Sequence, residues 1–221
     1  MIIAIDGPSA SGKSTTAKGV ANELNILHID TGAMYRALTY DMQKNKINYN
    51  NFNDLAEYLS KLEINFDLLN NVCLNGKSLS SEIRSKRISS EVSSVSAVKL
   101  VRNKMVKIQR KIAEGKKCIL EGRDIGTIVF PNAAFKFFLD AKVEDRAKRR
   151  LLDFKRNGED FSLNEVIKQI EERDSFDSSR KNSPLKMSKN AILIDTSNLS
   201  IKEQINKVVS LVKLKFFNKE I

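Results

Sequence analysis

The chain has 221 residues, a net charge of +11, 41% hydrophobic and 29% charged residues. That length can bury one substantial core, and that balance excludes a mostly disordered chain. The longest apolar runs, such as Phe135-Lys136-Phe137-Phe138-Leu139, fall far below the roughly 20 residues a membrane-spanning helix needs.

The first segment, Met1 to Asp6, reads as a short buried strand with its apolar run at 2–5. It runs directly into Gly7-Pro8-Ser9-Ala10-Ser11-Gly12-Lys13-Ser14-Thr15, the pattern G-x-x-x-x-G-K-S. Helix-forming sequence then continues through Ser14 to Leu24. Glycines let a backbone wrap tightly enough for successive amides to converge on phosphate oxygens, and the following helix aims its partial positive end at the same point. Residues 7–15 are therefore expected to bind nucleotide phosphates. Lys13 is expected to reach the β- and γ-phosphates of ATP, and Ser14 to ligate Mg²⁺.

A second strand is expected at 26–29, with His28, the single histidine, as a satisfied strand residue rather than a catalyst. A helix follows over Gly32 to Lys44. Ile64 to Leu68 alternates in period two, Asn70-Asn71 can turn, Val72-Cys73-Leu74 returns, and Asn75-Gly76 signals a hairpin. This predicts a small antiparallel module at about 60–96, inserted between the second and third core strands. Further helices are expected over Ala97 to Glu114, Val143 to Phe154, Leu163 to Arg173 and Ser200 to Phe217, and strands at 118–120, 135–139 and 191–194. Ser200, and either Ser162 or Asn164, are candidate helix caps. The polar segment Arg156 to Ser162 is read as a mobile flap, a lid at about 150–163, with a plain connecting loop as the alternative. Five short apolar runs alternating with helices predict an α/β fold with a five-stranded parallel sheet, in a single domain over 1–221.

Cys73 and Cys118 show no metal or redox spacing, and Cys118 sits in an apolar run, so no disulfide is expected. The amino terminus has no basic segment leading into an apolar stretch and a cleavage site, which predicts cytoplasmic residence. Lysines and arginines are scattered rather than gathered into one tract. Most of them are read as solvated surface, with no nucleic-acid partner.

A phosphate loop does not name an activity. A guanine-reading N-K-x-D is absent: Asn45-Lys46-Ile47-Asn48, Asn103-Lys104-Met105-Val106 and Asn206-Lys207-Val208-Val209 all lack the final aspartate. After Cys118-Ile119-Leu120 comes Glu121-Gly122-Arg123-Asp124, where a hydrolytic motor would carry an acidic pair. An arginine there invites an anion. Arg36 follows the second strand, and Arg173 and Arg180 flank Asp174 to Asp177. Ligands of open α/β sheets bind beyond the carboxyl ends of strands, so these arginines imply a second phosphate, held bidentately in line with ATP. Kinases acting on other small acceptors (UMP, shikimate, dephospho-coenzyme A) and a nucleic-acid-binding P-loop ATPase remain as rivals.

The chain resembles the bacterial cytidylate kinases, a branch of the nucleoside-monophosphate kinases, nearly end to end. The likeness is carried by Ile5-Asp6-Gly7-Pro8-Ser9 through Lys13, by Asp30-Thr31-Gly32-Ala33-Met34-Tyr35-Arg36, by Gly122-Arg123-Asp124-Ile125-Gly126-Thr127 with Val129-Phe130-Pro131, and by Glu172-Arg173-Asp174 with Arg180. It implies a three-layer P-loop kinase fold whose insert binds the monophosphate, and transfer of phosphate from ATP to CMP or dCMP. Nothing in the chain demands more than a monomer. The resemblance further implies that Arg36, Arg123 and Arg180 hold the acceptor phosphate, with Thr31 or Tyr35 nearby, and that Asp177 meets the ribose. Ser93, Arg102 and Asp124 would read the base. Cytosine offers an N4 donor to Asp124 and acceptors to Arg102 and Ser93, whereas uracil would set a carbonyl against the carboxylate. The chain departs from the pattern at Glu121 and Thr31, where relatives often carry aspartate and serine, and at Ser175-Phe176, where many carry charge.

Overall fold

The computed structural model describes residues 1–156 and 158–217. It divides into two compact units, one comprising Met1–Ile29, Lys116–Ser179 and Ser183 onward, the other Asp30–Gly115 with Arg180–Asn182.

The first unit is built on a five-stranded parallel sheet of β1 (Ile2–Asp6), β2 (Leu27–Asp30), β6 (Cys118–Gly122), β7 (Phe135–Asp140) and β8 (Ile192–Asp195), ordered β2-β6-β1-β7-β8. Ile3 lies opposite Ile119 on one side and Phe135 on the other. Central strands covered on both faces need near-continuous apolar residues, which is why β1 and β6 read as unbroken hydrophobic runs. The helices α1 (Lys13–Leu24) and α8 (Ile201–Phe217) share a core with the sheet through Ala17, Val20, Val208 and Val212. The helices α6 (Val143–Arg156) and α7 (Leu163–Ser179) form a second cluster of Ala147, Phe154, Val166 and Ile170. Phe161 joins it, its ring centroid 4.5 Å from that of Phe154. The expected lid at about 150–163 falls on the ends of these helices and their connection; its residue 157 lies outside the described residues.

Reciprocal caps start α7 and α8. Ser162 Oγ accepts from Glu165 N while Ser162 N donates to Glu165, and Ser200 and Glu203 repeat the pattern. Ser162 is thus the cap in place of Asn164. Helix α7 runs six residues past its expected end at Arg173, because Asp177 is drawn into the interior and its carbonyl accepts from Leu185 N at 2.7 Å.

The second unit holds α2 (Thr31–Lys44), α3 (Phe52–Ser60), an antiparallel sheet β3-β4-β5 (Ile64–Phe66, Val72–Leu74, Lys77–Leu79), a 3₁₀ turn at Glu82–Arg84, α4 (Lys86–Ala97) and α5 (Lys99–Ala113). Two expected boundaries move here, and two helices appear that the sequence reading lacked. The first strand of the module ends at Phe66, because Asp67 turns its carboxylate onto the amides of Leu69 and Asn71. Helix α3 was absent from the sequence reading, although Asn51 caps it and Leu55 and Leu59 bury one side. The serine-rich stretch Ser89 to Ser96 is helical. Serine competes for backbone partners and argues against a helix, but Ile88, Val92 and Val95 recur on one buried face and Ser85 accepts from Ile88 N. Extended Val98 then separates α4 from α5, so the helix expected to begin at Ala97 begins at Lys99.

Among the described residues no helix is long and apolar enough to cross a membrane. Cys73 is half-buried, Cys118 is buried, and both are free thiols.

Candidate functional site

In the first unit, β1 delivers the chain into the loop 7–15 at its carboxyl end. Gly7 has φ 152°, and a Cβ there would lie 2.0 Å from the carbonyl oxygen of Leu139. Gly12 has φ 90° and begins α1; a Cβ on it would come within 2.8 Å of Gln204 Oε1. Gly7 excludes a side chain on steric grounds, since the atom it would meet is backbone, and the positive φ of Gly12 strains any other residue there. What remains is a backbone cradle at a helix amino terminus, the geometry that suits phosphate.

Lys13 folds back into this cradle, 6% exposed, with Nζ donating to Pro8 O at 2.5 Å and to Ser11 Oγ at 3.3 Å. Burial pushes its ammonium well below the ordinary lysine value, and the positive charge of Arg123 adds to the effect while Glu121 opposes it. An incoming polyphosphate would reverse that shift, so the lysine is poised for an anion.

Neighbouring side chains fix the loop. Ser9 N donates to Asp174 Oδ1 at 3.0 Å and Ser9 O accepts from Arg146 Nη1 at 3.1 Å, while Arg146 and Asp174 pair with each other. Thr196 Oγ1 donates to Ser11 O at 3.2 Å. Pro8 and Ser11 are buried, Ser9 and Ala10 half-buried, and Ser14 and Thr15 exposed. The exposed Ser14 donates its hydroxyl to Glu121 Oε2 at 2.5 Å. That leaves the hydroxyl lone pairs for a cation, so the donor set fits magnesium at Ser14. Glu121 was noted in the sequence only as a departure from aspartate; its place at the end of an apolar strand was the available signal.

Arg123 Nε donates to Asp177 Oδ2 at 2.9 Å, linking β6 to α7. Asp124 is buried and heads a π-helical turn, Ile125–Val129, its carbonyl accepting from Ile128 N and Val129 N. Asp6 secures that turn by accepting from Ile125 N at 2.8 Å and Gly126 N at 2.7 Å. Burial is the main reason the Asp6 carboxyl is pushed up to about 6, against the lowering effect of those two amides. Arg173 is half-buried and adds its positive charge to the field at Lys13.

In the second unit, Thr31 and Tyr35 are buried on α2 and Arg36 is half-buried, its Nη1 donating to Ser89 Oγ at 2.8 Å. The Arg102 guanidinium lies 5.4 Å from the centroid of the Tyr35 ring and donates to Ser96 O at 3.2 Å. Arg180 Nη1 lies 3.5 Å from Ser96 Oγ. Ser96 thus meets both arginines, whereas half-buried Ser93 offers its carbonyl to the Ser96 hydroxyl at 2.9 Å. Sequence reasoning named Ser93 and not Ser96, since nothing but helical phase distinguishes the contacts of serines three apart.

A lysine wrapped in a glycine-formed cradle at the carboxyl end of β1, over a five-stranded parallel sheet, places the chain among the P-loop proteins. A solved structure of an uncharacterized protein from Eubacterium ventriosum shares the fold, with TM-score 0.53 at 13% identity over 96% of this chain and 98% of that one. The cytidylate kinase family profile matches residues 3–214. A cytidylate kinase of Clostridium botulinum (strain Loch Maree / Type A3) is 46% identical over 211 residues, 96% of this chain and 97% of that protein. One from Fusobacterium nucleatum is 47% identical over 207 residues, 93% of this chain and 94% of that protein. The chain belongs to the cytidylate kinase family.

Proposed function

We propose that the enzyme transfers the γ-phosphoryl group of ATP to CMP, and to dCMP, giving ADP and CDP or dCDP. The observation that carries this reading is the Lys13 ammonium drawn inside the loop 7–15, in a chain of this family. A phosphate monoester has a second pKa of about 6, so at neutral pH the acceptor is mostly a dianion and is its own nucleophile. An acceptor oxygen bonds to the γ-phosphorus as the bond to the β–γ bridging oxygen breaks. No general base is required.

Catalysis then reduces to alignment and charge neutralisation. The backbone of 7–15 holds the ATP phosphates and Lys13 offsets the charge that develops on the β- and γ-oxygens. Magnesium, when bound through Ser14, supplies further neutralisation of the same oxygens. We assign Arg36, Arg123, Arg173 and Arg180 to the acceptor phosphate, with Thr31 and Tyr35 beside it, Asp177 to the ribose, and Ser93, Arg102 and Asp124 to the base. In this reading Arg146 serves the loop, through Ser9 and Asp174, rather than the transferring group. The same reading has the enzyme act as a cytoplasmic monomer on soluble nucleotides.

A coupled ADP-release assay across CMP, dCMP, UMP, shikimate and dephospho-coenzyme A tests the proposal, with RNA as a further arm. CMP is expected to be preferred. UMP exceeding CMP would overturn the specificity, and turnover stimulated by RNA but not by CMP would overturn the reaction.

A further inference from the structure

We propose that His28 is a positioning residue for magnesium: it fixes the Glu121 carboxylate, which in turn aims the Ser14 hydroxyl. This rests on the phosphoryl-transfer reading above, in which Ser14 ligates the ion. Three side chains form one connected line. Ser14 Oγ is 2.5 Å from Glu121 Oε2, and Glu121 Oε1 is 3.0 Å from His28 Nε2. The two inner members are secluded, His28 at 9% and Glu121 at 4% side-chain exposure, while Ser14 stands exposed at the mouth of the loop.

The direction of the line follows from its chemistry. An ionised carboxylate only accepts, so both neighbours donate to it: Nε2 carries a proton in this contact, and the Ser14 hydroxyl points its hydrogen inward. The serine lone pairs then face outward, where a cation can take them. A glutamate has more side-chain torsions than an aspartate, and each unfixed torsion blurs the position of the hydroxyl it holds. His28 sits on β2, the sheet neighbour of β6 that carries Glu121, so the imidazole anchors the carboxylate from a strand rather than from a loop. Burying a polar ring beside a strand core is costly unless it is bonded, and here its bond reaches Glu121, the carboxylate that accepts from Ser14.

The test is calorimetric titration of Mg²⁺ into the full-length chain preloaded with ADP, for the wild type and for His28→Leu, His28→Asn and His28→Gln. Leucine removes the donor, asparagine keeps a polar group too short to reach Glu121, and glutamine puts an amide N–H close to the position of Nε2. Leucine and asparagine are expected to raise the magnesium midpoint roughly tenfold, the lower end for outer partners of a metal ligand. Metal-free ADP affinity is expected to stay level, and glutamine to remain near wild type. An unchanged midpoint in both Leu and Asn variants overturns the role of His28 while the metal reading stands, and so does a glutamine variant as impaired as the other two. A wild-type chain with no response to magnesium overturns the metal reading and this inference together.

Discussion

In the proposed reading, the groups offered to a ligand from Gly7 to Thr15 are mostly backbone amides, whereas over Asp30–Gly115 they are side chains set at intervals along helices. The first arrangement is specified locally. Gly7 and Gly12 cannot be replaced without a Cβ meeting Leu139 O or Gln204 Oε1, so the sequence itself records the fold of the loop. The second depends on which face each helix turns inward, and that is decided by packing far along the chain. A phosphate cradle and an acceptor-reading surface therefore place different demands on sequence: the former needs particular residues, the latter particular phases.

The strongest test of this contrast removes the ammonium that lies inside the cradle. Lys13→Ala is expected to lower kcat by roughly 10³-fold, because a charge aimed at the developing transition state is lost. Far-ultraviolet circular dichroism is expected to be unchanged, since alanine suits the first turn of α1 and a buried ammonium is removed along with its desolvation cost. A variant retaining a tenth of wild-type kcat would mean that backbone amides alone carry the phosphates. Next in size is Arg123→Ala. Its guanidinium meets Asp177 at 2.9 Å, so the change removes a proposed phosphate ligand and leaves a buried carboxylate without that partner. A loss of about 2–4 kcal/mol in kcat/KM for CMP is expected, with KM for ATP nearly unaffected. Equal losses toward ATP and CMP would remove Arg123 from the acceptor side.

The same contrast explains what the sequence made legible. All five core strands and the helices α1, α2, α6 and α8 could be read, because strand-length apolar runs and glycine punctuation are local signals. The 64–79 module was recognised from alternation and Asn75-Gly76, while its third strand, Lys77–Leu79, is too short to show a pattern. Helix α4 was hidden by its serines, and with it the phase that turns Ser96 toward Arg102 and Arg180. Asp177 could be named, but its pairing with Arg123 spans 54 positions and depends on α7 continuing past Arg173. Glu121 could be named as a departure from aspartate after an apolar strand, but its bond to Ser14 joins positions 107 apart.

Asp6 lies where local loop and distant packing meet, and its titration measures the cost. Its carboxyl moves from an ordinary 3.8 to about 6 in the folded chain. The native state therefore holds this proton more tightly than the unfolded state, so stability is expected to fall as pH rises from about 4 to about 6. Two pH units at the usual conversion amount to about 3 kcal/mol. Exposed carboxylates held low, including Glu82 and Asp195, act in the opposite sense, so the measurement is a difference: urea unfolding of wild type and Asp6→Asn across that range. Their stability gap is expected to change steadily with pH in the direction that favours the variant as pH rises. A gap constant with pH would show that Asp6 does not titrate in this window.

The smallest expected effect bears on selectivity. Asp124 is buried at the head of the turn that Asp6 secures, so the following backbone is held by a carboxylate other than its own. In the proposed reading, the Asp124 carboxylate would accept from the N4 amino group of cytosine and repel the O4 carbonyl of uracil. Asparagine presents an oxygen or an NH₂ group by a rotation of its amide, and so can answer either base. Asp124→Asn is expected to narrow the ratio of kcat/KM for CMP over UMP by roughly tenfold, within the range for one mismatched buried polar contact. The change is expected to come mainly from improved use of UMP, because the mutant amide gains a donor without losing its acceptor. A ratio that holds at the wild-type value, with CMP and UMP both slowed equally, would make Asp124 a support of the Ile125–Val129 turn and transfer base reading to Arg102.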